Sequence, residues 1–241
     1  MLDLIRLRLR ERTATLDYPH GPAPELPERF RGRPARDPAR CVAGCACGGG
    51  PLDLGTNLFS PEEAAACPGG AMTYTRDYRM AVGSRAALIT PTGEVALARA
   101  LEERTRRLFG RSLRLRSVVA GSCGGCEAEL VALGNVVFDL ARFGVQFVAS
   151  PRHADGIVIT GAVNVNMRRA LRDTYDAVPE PKLVLAVGAC ALSGGPFRGS
   201  PEVAGGVPPE IPVNLWIPGC PPHPLTMLDG ILRLLGGLEE H

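Results

Sequence analysis

Residues 113–127 read Leu-Arg-Leu-Arg-Ser-Val-Val-Ala-Gly-Ser-Cys-Gly-Gly-Cys-Glu. The run 113–120 reads as a buried strand, and Cys123 and Cys126 fall just past its C-terminal end. A helix is predicted next, over 127–142. Working outward, the same alternation continues. Strands are predicted over 145–149, 156–161, 183–188 and 213–217, and helices over 164–177 and 224–235. Near-continuous apolar strands joined by helices predict a mostly parallel α/β sheet covered on both faces. Cys190 follows the strand at 183–188, and Cys220 follows the strand at 213–217. In open α/β sheets that edge is where ligands bind. Cys123, Cys126, Cys190 and Cys220 are therefore expected to converge on a metal or iron–sulfur site.

The surrounding residues suit such a site. Gly124 and Gly125 let the backbone wrap closely, because glycine tolerates positive φ. Cys126 opens a helix whose free N–H groups and positive dipole end favour an anionic group. Pro218, Pro221 and Pro222 stiffen the loop around Cys220. Inert core cysteines are a poor account of three separate strand ends that all carry cysteine. Zinc remains an alternative, although one Cys-x-x-Cys with two distant single cysteines is less typical of paired zinc knuckles.

The chain has 241 residues, enough for one or two domains, and is 45% hydrophobic. A net charge of +2 argues against a nucleic-acid partner. Lys182 is the only lysine, so the basic residues are almost all arginine. Eight cysteines at irregular spacing could be disulfides or ligands. No secretory pattern is visible at the start and no apolar run is long enough to span a bilayer. The expectation is a reducing cytoplasm and ligand cysteines. No GxGxxG or Walker-type loop suggests a nucleotide site.

Residues 1–40 are rich in proline and arginine. The Leu/Arg-rich start is read as a short amphipathic anchor or a packing arm. Cys41, Cys45, Cys47 and Cys67 lie in Gly-rich surroundings and form a candidate second metal site. Residues 94–109 read as an amphipathic helix, with Leu97, Leu101 and Leu108 at helical spacing. The expected division is 1–92, a connecting helix over 93–112, and 113–241.

Several motifs carry a family resemblance. Gly121-Ser122-Cys123-Gly124-Gly125-Cys126-Glu127, Ser150-Pro151-Arg152-His153-Ala154-Asp155, Gly188-Ala189-Cys190, Ser193-Gly194-Gly195 and Pro218-Gly219-Cys220-Pro221-Pro222 stand in order within roughly 97–236. Together they resemble the small subunit of membrane-bound, energy-converting nickel–iron hydrogenases such as formate hydrogenlyase. That subunit is similar to the complex I family that holds the last cluster before quinone. The resemblance implies a flavodoxin-like domain holding one proximal [4Fe–4S] cluster, ligated by Cys123, Cys126, Cys190 and Cys220, against a large catalytic subunit. It further implies membrane subunits as partners, a ferredoxin as donor, and a peripheral place on the inner face of the cell membrane. The complex I branch typically has adjacent cysteines where this chain has Cys123-x-x-Cys126, and glutamine where it has His153. Both put the chain on the hydrogenase side.

Phe30-Arg31-Gly32-Arg33-Pro34, Asp37-Pro38-Ala39-Arg40-Cys41 and Cys67-Pro68-Gly69-Gly70-Ala71-Met72 resemble two-cluster ferredoxin subunits of the same complexes. The chain departs from their paired cysteine runs, and four cysteines complete at most one cubane. The implied segment is a shortened ferredoxin-like or irregular α+β module, holding one cluster, zinc or nothing. The function expected is non-catalytic electron relay. The alternatives are a complex I-like NADH/quinone oxidoreductase component relaying electrons to quinone, and a non-redox zinc-stabilised scaffold. Glu127 is expected at a helix start, with a role in proton transfer as an option. Arg152 and His153 are expected on the contact edge shared with the cysteine loops. His223 is expected to be exposed.

Overall fold

A computed structural model describes residues 2–11, 14–22, 24–42, 50–109 and 112–238. The chain opens with α1 (Leu2–Glu11), on which Leu4, Ile5, Leu7 and Leu9 remain exposed. Four short strands follow: β1 (Pro34–Arg36), β2 (Leu52–Asp53), β3 (Met72–Tyr74) and β4 (Ile89–Thr90). The one-turn helix α2 (Pro61–Ala65) precedes β3, and its N-terminus is closed by a capping box between Ser60 and Glu63. β1 pairs antiparallel with β3, and β2 with β4. The first half is thus an irregular α+β segment built on two small ribbons.

Beyond it come α3 (Glu103–Phe109), β5 (Leu113–Val119), α4 (Gly125–Ala132), β6 (Val145–Phe147), β7 (Gly156–Thr160), α5 (Val165–Ala177), β8 (Leu183–Val187), α6 (Gly188–Ser193), β9 (Leu215–Ile217) and α7 (Pro224–Leu234). The five strands form one parallel sheet in the order β6-β5-β7-β8-β9. Counted from the first of them this is 2-1-3-4-5, the flavodoxin-like order. All five residues of β7 and of β8 are buried, which explains their unbroken apolar reading.

Side chains alternate between two cores. Leu115, Val158, Leu185 and Ile217 pack on one face against Leu130 of α4 and Met227, Leu228 and Ile231 of α7. Val118, Ile157, Ile159 and Val184 pack on the other face with Leu171 of α5. Each such aliphatic side chain contributes about 1.5–3 kcal/mol on burial. A third cluster joins the halves: Leu54, Val82 and Leu88 meet Ala186, Ala191 and Leu192. Val82 also exchanges two backbone hydrogen bonds with Trp216, at 3.0 and 2.9 Å, along the outer margin of β9.

The residues before the first ribbons are fastened to the sheet domain as well. Arg142 donates to the carbonyls of Leu16 and Tyr18 at 2.6 and 3.0 Å. Tyr18 Oη donates to Oδ1 of Asp229 at 2.8 Å, and Arg233 Nε donates to its Oδ2 at 2.8 Å. Asp229 is fully buried. Burial, then the carboxylate beside it, pushes the Tyr18 phenol well above its ordinary range.

Two predicted helices are shorter than expected. Of 94–109, only Glu103–Phe109 is helical. The residues before it run as a strap, because Ala98 N–H donates to Ala81 and Leu101 N–H donates to Leu234. The predicted helix 127–142 ends at Ala132. Gly134 follows, and the Asn135 side chain accepts from the N–H groups of Val137 and Phe138, closing a turn that helix would forbid. Among the described residues no helix is long and apolar enough to cross a membrane.

Candidate metal centre

One row of the sheet sets the site. Val119, Thr160, Val187 and Ile217 stand in register, so four strands end at one level. Cys123 and Cys126 leave from the first of these ends, Cys190 from the third and Cys220 from the fourth. Gly124, at φ 88°, is the N-cap of α4 and turns the chain so that Cys126 enters its first turn. Cys126 and Cys190 are buried, whereas Cys123 and Cys220 are exposed. The group is therefore half sunk in the protein and opens outward.

Glycines leave the room that the sulfurs occupy. A Cβ on Gly188 would lie 2.5 Å from Cys126 Sγ, and one on Gly195 would lie 2.8 Å from Cys190 Sγ. Gly188 also has φ +86°, in the left-handed region. Gly188→Ala is expected to cost about 1–2 kcal/mol from that φ alone and to push the Cys126 thiol off its position. Iron content per chain, set beside a thermal melt, checks both halves of this expectation.

The thiols feel one another. Burial, then Glu127 and the other three cysteines, pushes the Cys126 thiol far above its ordinary value. Burial, then Cys220 and Cys123, pushes Cys190 up to about 11. Cys220 is raised by burial, then by Cys123 and Glu63. Four thiolates here repel each other unless a cationic group lies among them. The donor set is soft and anionic, which suits iron–sulfur chemistry. Among the described residues no three His, Cys, Asp or Glu side chains converge closely enough for a single ion. A lone zinc would draw its thiolates to about 2.3 Å from one point, whereas a four-iron cube holds them further apart. The donor chemistry and the glycine cradle fit a thiolate-bound metal group.

The other expected residues fall in different places. The Glu127 carboxylate accepts from Ser122 Oγ at 2.8 Å and from Thr160 Oγ1. It ties the cysteine loop to the end of β7, a role that the helix-dipole reading missed. Arg152 and His153 are exposed, but they precede β7 and lie at the opposite end of the sheet from the cysteines. Five residues of β7 separate the two ends, about 16 Å of strand. The shared contact edge expected for them is not formed. His223 is half-buried rather than exposed. Its Nδ1 accepts from Leu225 N–H at 3.2 Å and caps α7, and its ring meets Phe30 and Phe138 edge-on. Burial lowers its pKa. In the first half, Cys67 is buried and its Sγ accepts from Ala71 N–H at 3.3 Å. Cys41 is half-buried, on a loop that packs against Gly69 through the Arg40 carbonyl. Cys45 and Cys47 lie outside the described residues.

Residues 123–234 match the family described as NADH ubiquinone oxidoreductase, 20 Kd subunit. Over 143 residues the chain is 39% identical to a probable membrane-bound hydrogenase subunit, mbhJ, of Pyrococcus furiosus, spanning 58% of this chain and 86% of that one. The chain belongs to this family. In this member of the 20 Kd subunit family, the matched stretch runs from Cys123 to the last residue of α7 and contains all four cysteines. It is also 43% identical over 130 residues to formate hydrogenlyase subunit 7 of Escherichia coli, covering 54% of this chain and 51% of that one. It is 47% identical over 116 residues to the B component of the NADH-quinone oxidoreductase of Heliobacterium modesticaldum, covering 48% and 66%. The chain thus spans about half to two thirds of these last two relatives. Among solved structures it is similar to a chain of the membrane-bound sulfane sulfur reductase, an archaeal respiratory membrane complex. That likeness has 34% identity and a TM-score of 0.49, over 56% of this chain and 75% of that one.

Proposed function

We propose that this chain is the electron-relay subunit of a multisubunit, membrane-associated oxidoreductase of the nickel–iron hydrogenase type. Cys123, Cys126, Cys190 and Cys220 would hold its proximal [4Fe–4S] cluster. The observation that carries the reading is the strand row that brings the three cysteine-bearing strand ends, with their four cysteines, to one level. Such a cluster supplies one-electron transfer. The chain's own residues give it four ligands, a half-sunk seat and a raised cost of leaving the thiolates bare. The outward-opening side, with Cys123 and Cys220 exposed, is where a large catalytic subunit would sit. Membrane subunits and a ferredoxin donor are the further partners we assign, with the chain peripheral on the cytoplasmic face.

The hydrogenase side is supported by the Cys123-Gly-Gly-Cys126 spacing and by the relatives that bear hydrogenase and formate hydrogenlyase names. A quinone-reducing, complex I-like role is the second reading, favoured by the 47% identity over 116 residues to an NADH-quinone oxidoreductase component. The zinc scaffold is the third reading, which metal and sulfide analysis separates from the other two.

The test is anaerobic purification with the native partners. Iron and sulfide in equal amounts, with an EPR signal on reduction, support the reading; stoichiometric zinc without sulfide overturns it. Nickel in the co-purified large subunit selects the hydrogenase type, and its absence with quinone turnover selects the second reading. In the first half we expect at most one further cluster. Serine at both Cys41 and Cys67 should remove no more iron than one cubane holds and leave the second-half spectrum intact, as iron analysis beside EPR would show.

A further inference from the structure

The helix that carries Cys190 is held from outside its own domain. α6 has only six residues, too few to be stable alone. Four of its carbonyls, from Ala189 to Leu192, are each satisfied by a specific donor. Ser193 Oγ donates to Ala189 O at 3.0 Å, Gly194 N–H to Cys190 O at 2.8 Å, and Val207 N–H to Ala191 O at 2.8 Å. The fourth, Leu192 O, accepts from Arg85 Nε at 3.2 Å. Arg85 belongs to the first half, where both its terminal nitrogens grip Asp53, at 2.8 and 2.7 Å. Gly55 lies flat beside the guanidinium: a Cβ there would fall 2.7 Å from Arg85 Cζ. Asp53 is itself fixed, accepting from Gly55 N–H at 2.9 Å. Leu54 and Leu88, on either side of this pair, pack against Ala191 and Leu192.

We propose that the Arg85–Asp53 pair is a clamp that positions Cys190, so that the first half of the chain fixes the geometry of the metal centre in the second. The proposal rests on Cys190 being a ligand of that centre. Arg85 is a positioning residue and touches no ligand sulfur in this assignment. Its planar fork is what the site uses: two N–H groups for the carboxylate and Nε for the carbonyl, an arrangement that lysine cannot reproduce. Without it the Leu192 carbonyl loses its donor and α6 is free to rock about Cys190.

The experiment uses the full chain purified with its partners. Arg85→Ala, Arg85→Lys and Asp53→Asn are compared with Tyr18→Phe, which loosens the first half at a point remote from α6. Two quantities are read: the rate of iron loss to a ferrous chelator, and, after iron removal, alkylation of each cysteine by mass spectrometry. The clamp predicts iron loss faster by about ten-fold or more in all three clamp variants. It also predicts faster alkylation of Cys190 but not of Cys126, which is equally buried. Tyr18→Phe should change neither. Unchanged rates in the clamp variants overturn the proposal, and so does an equal rise at Cys126 and Cys190 or the same effect from Tyr18→Phe. If Arg85→Ala fails to fold, Arg85→Lys and Asp53→Asn carry the same comparison. Cys190→Ser separates the two readings. An unchanged EPR signal in that variant removes the ligand assignment, whereas a lost signal with inert clamp variants removes the clamp alone.

Discussion

Serine at Cys190 or at Cys220 is expected to abolish the reduced-cluster EPR signal and to cut bound iron at least about ten-fold. A serine oxygen is a harder, more basic ligand than a thiolate, and it enters a seat shaped for sulfur. At Cys190 the seat is tight, since even a methyl carbon on Gly195 would come within 2.8 Å of the sulfur. At Cys220 the ligand is exposed, so solvent competes for the vacated iron corner. Serine at Cys123 and at Cys126 should give the same loss. Serine at Cys67 should leave the second-half signal unchanged, because that sulfur lies at the turn before Ala71 in the first half. The measurement is anaerobic EPR with parallel iron and sulfide analysis. An unaltered spectrum in either the Cys190 or the Cys220 variant would exclude that residue as a ligand.

The largest loss of stability is expected from Asp229→Ala. The carboxylate is fully buried and both its oxygens are used, one by Tyr18 and one by Arg233. The Arg233 side chain is only 13% exposed. Alanine leaves that guanidinium and the Tyr18 hydroxyl without their partner, and breaking such a pair costs about 3–5 kcal/mol. The melting temperature should fall by about 10 °C. Tyr18→Phe deletes one hydrogen bond and should cost about 1 kcal/mol. Urea denaturation of the three proteins orders them. An Asp229→Ala variant as stable as Tyr18→Phe would show that Arg233 finds another partner.

The sheet was readable because its central strands β7 and β8 are buried on both faces and appear as plain apolar runs. The cysteines were readable because each follows such a run. The common register of Val119, Thr160, Val187 and Ile217 was not, since pairing is a tertiary property. Nor was the Ser122–Glu127–Thr160 link, which joins residues 33 positions apart at its longer step. The helical pattern over 94–102 was genuine but lost to backbone bonds offered by Ala81 and Leu234. The stop at Gly134-Asn135 was written in the chain and was outweighed by the apolar residues around it. Arg152 and His153 were misplaced because β6 is only three residues long. Phe147 and Gly156 both stand level with Leu115, so the link between them never climbs to the cysteine end.

The pairing of Val82 with Trp216 has a consequence for how this chain can be divided. A parallel sheet has two margins, and a margin with free N–H and C=O groups invites another copy to add to it. On the β6 side the margin is only three residues long. On the β9 side Val82 takes up both main-chain groups of Trp216, and Ala81 sits against Gly230 of α7 so closely that a Cβ there would be 2.5 Å away. A fragment beginning at residue 93 or 113 would uncover that side, together with the apolar floor left by Leu54, Val82 and Leu88. The first half therefore works as a cover strip for the sheet, and separating the halves would trade a closed edge for a self-adhesive one.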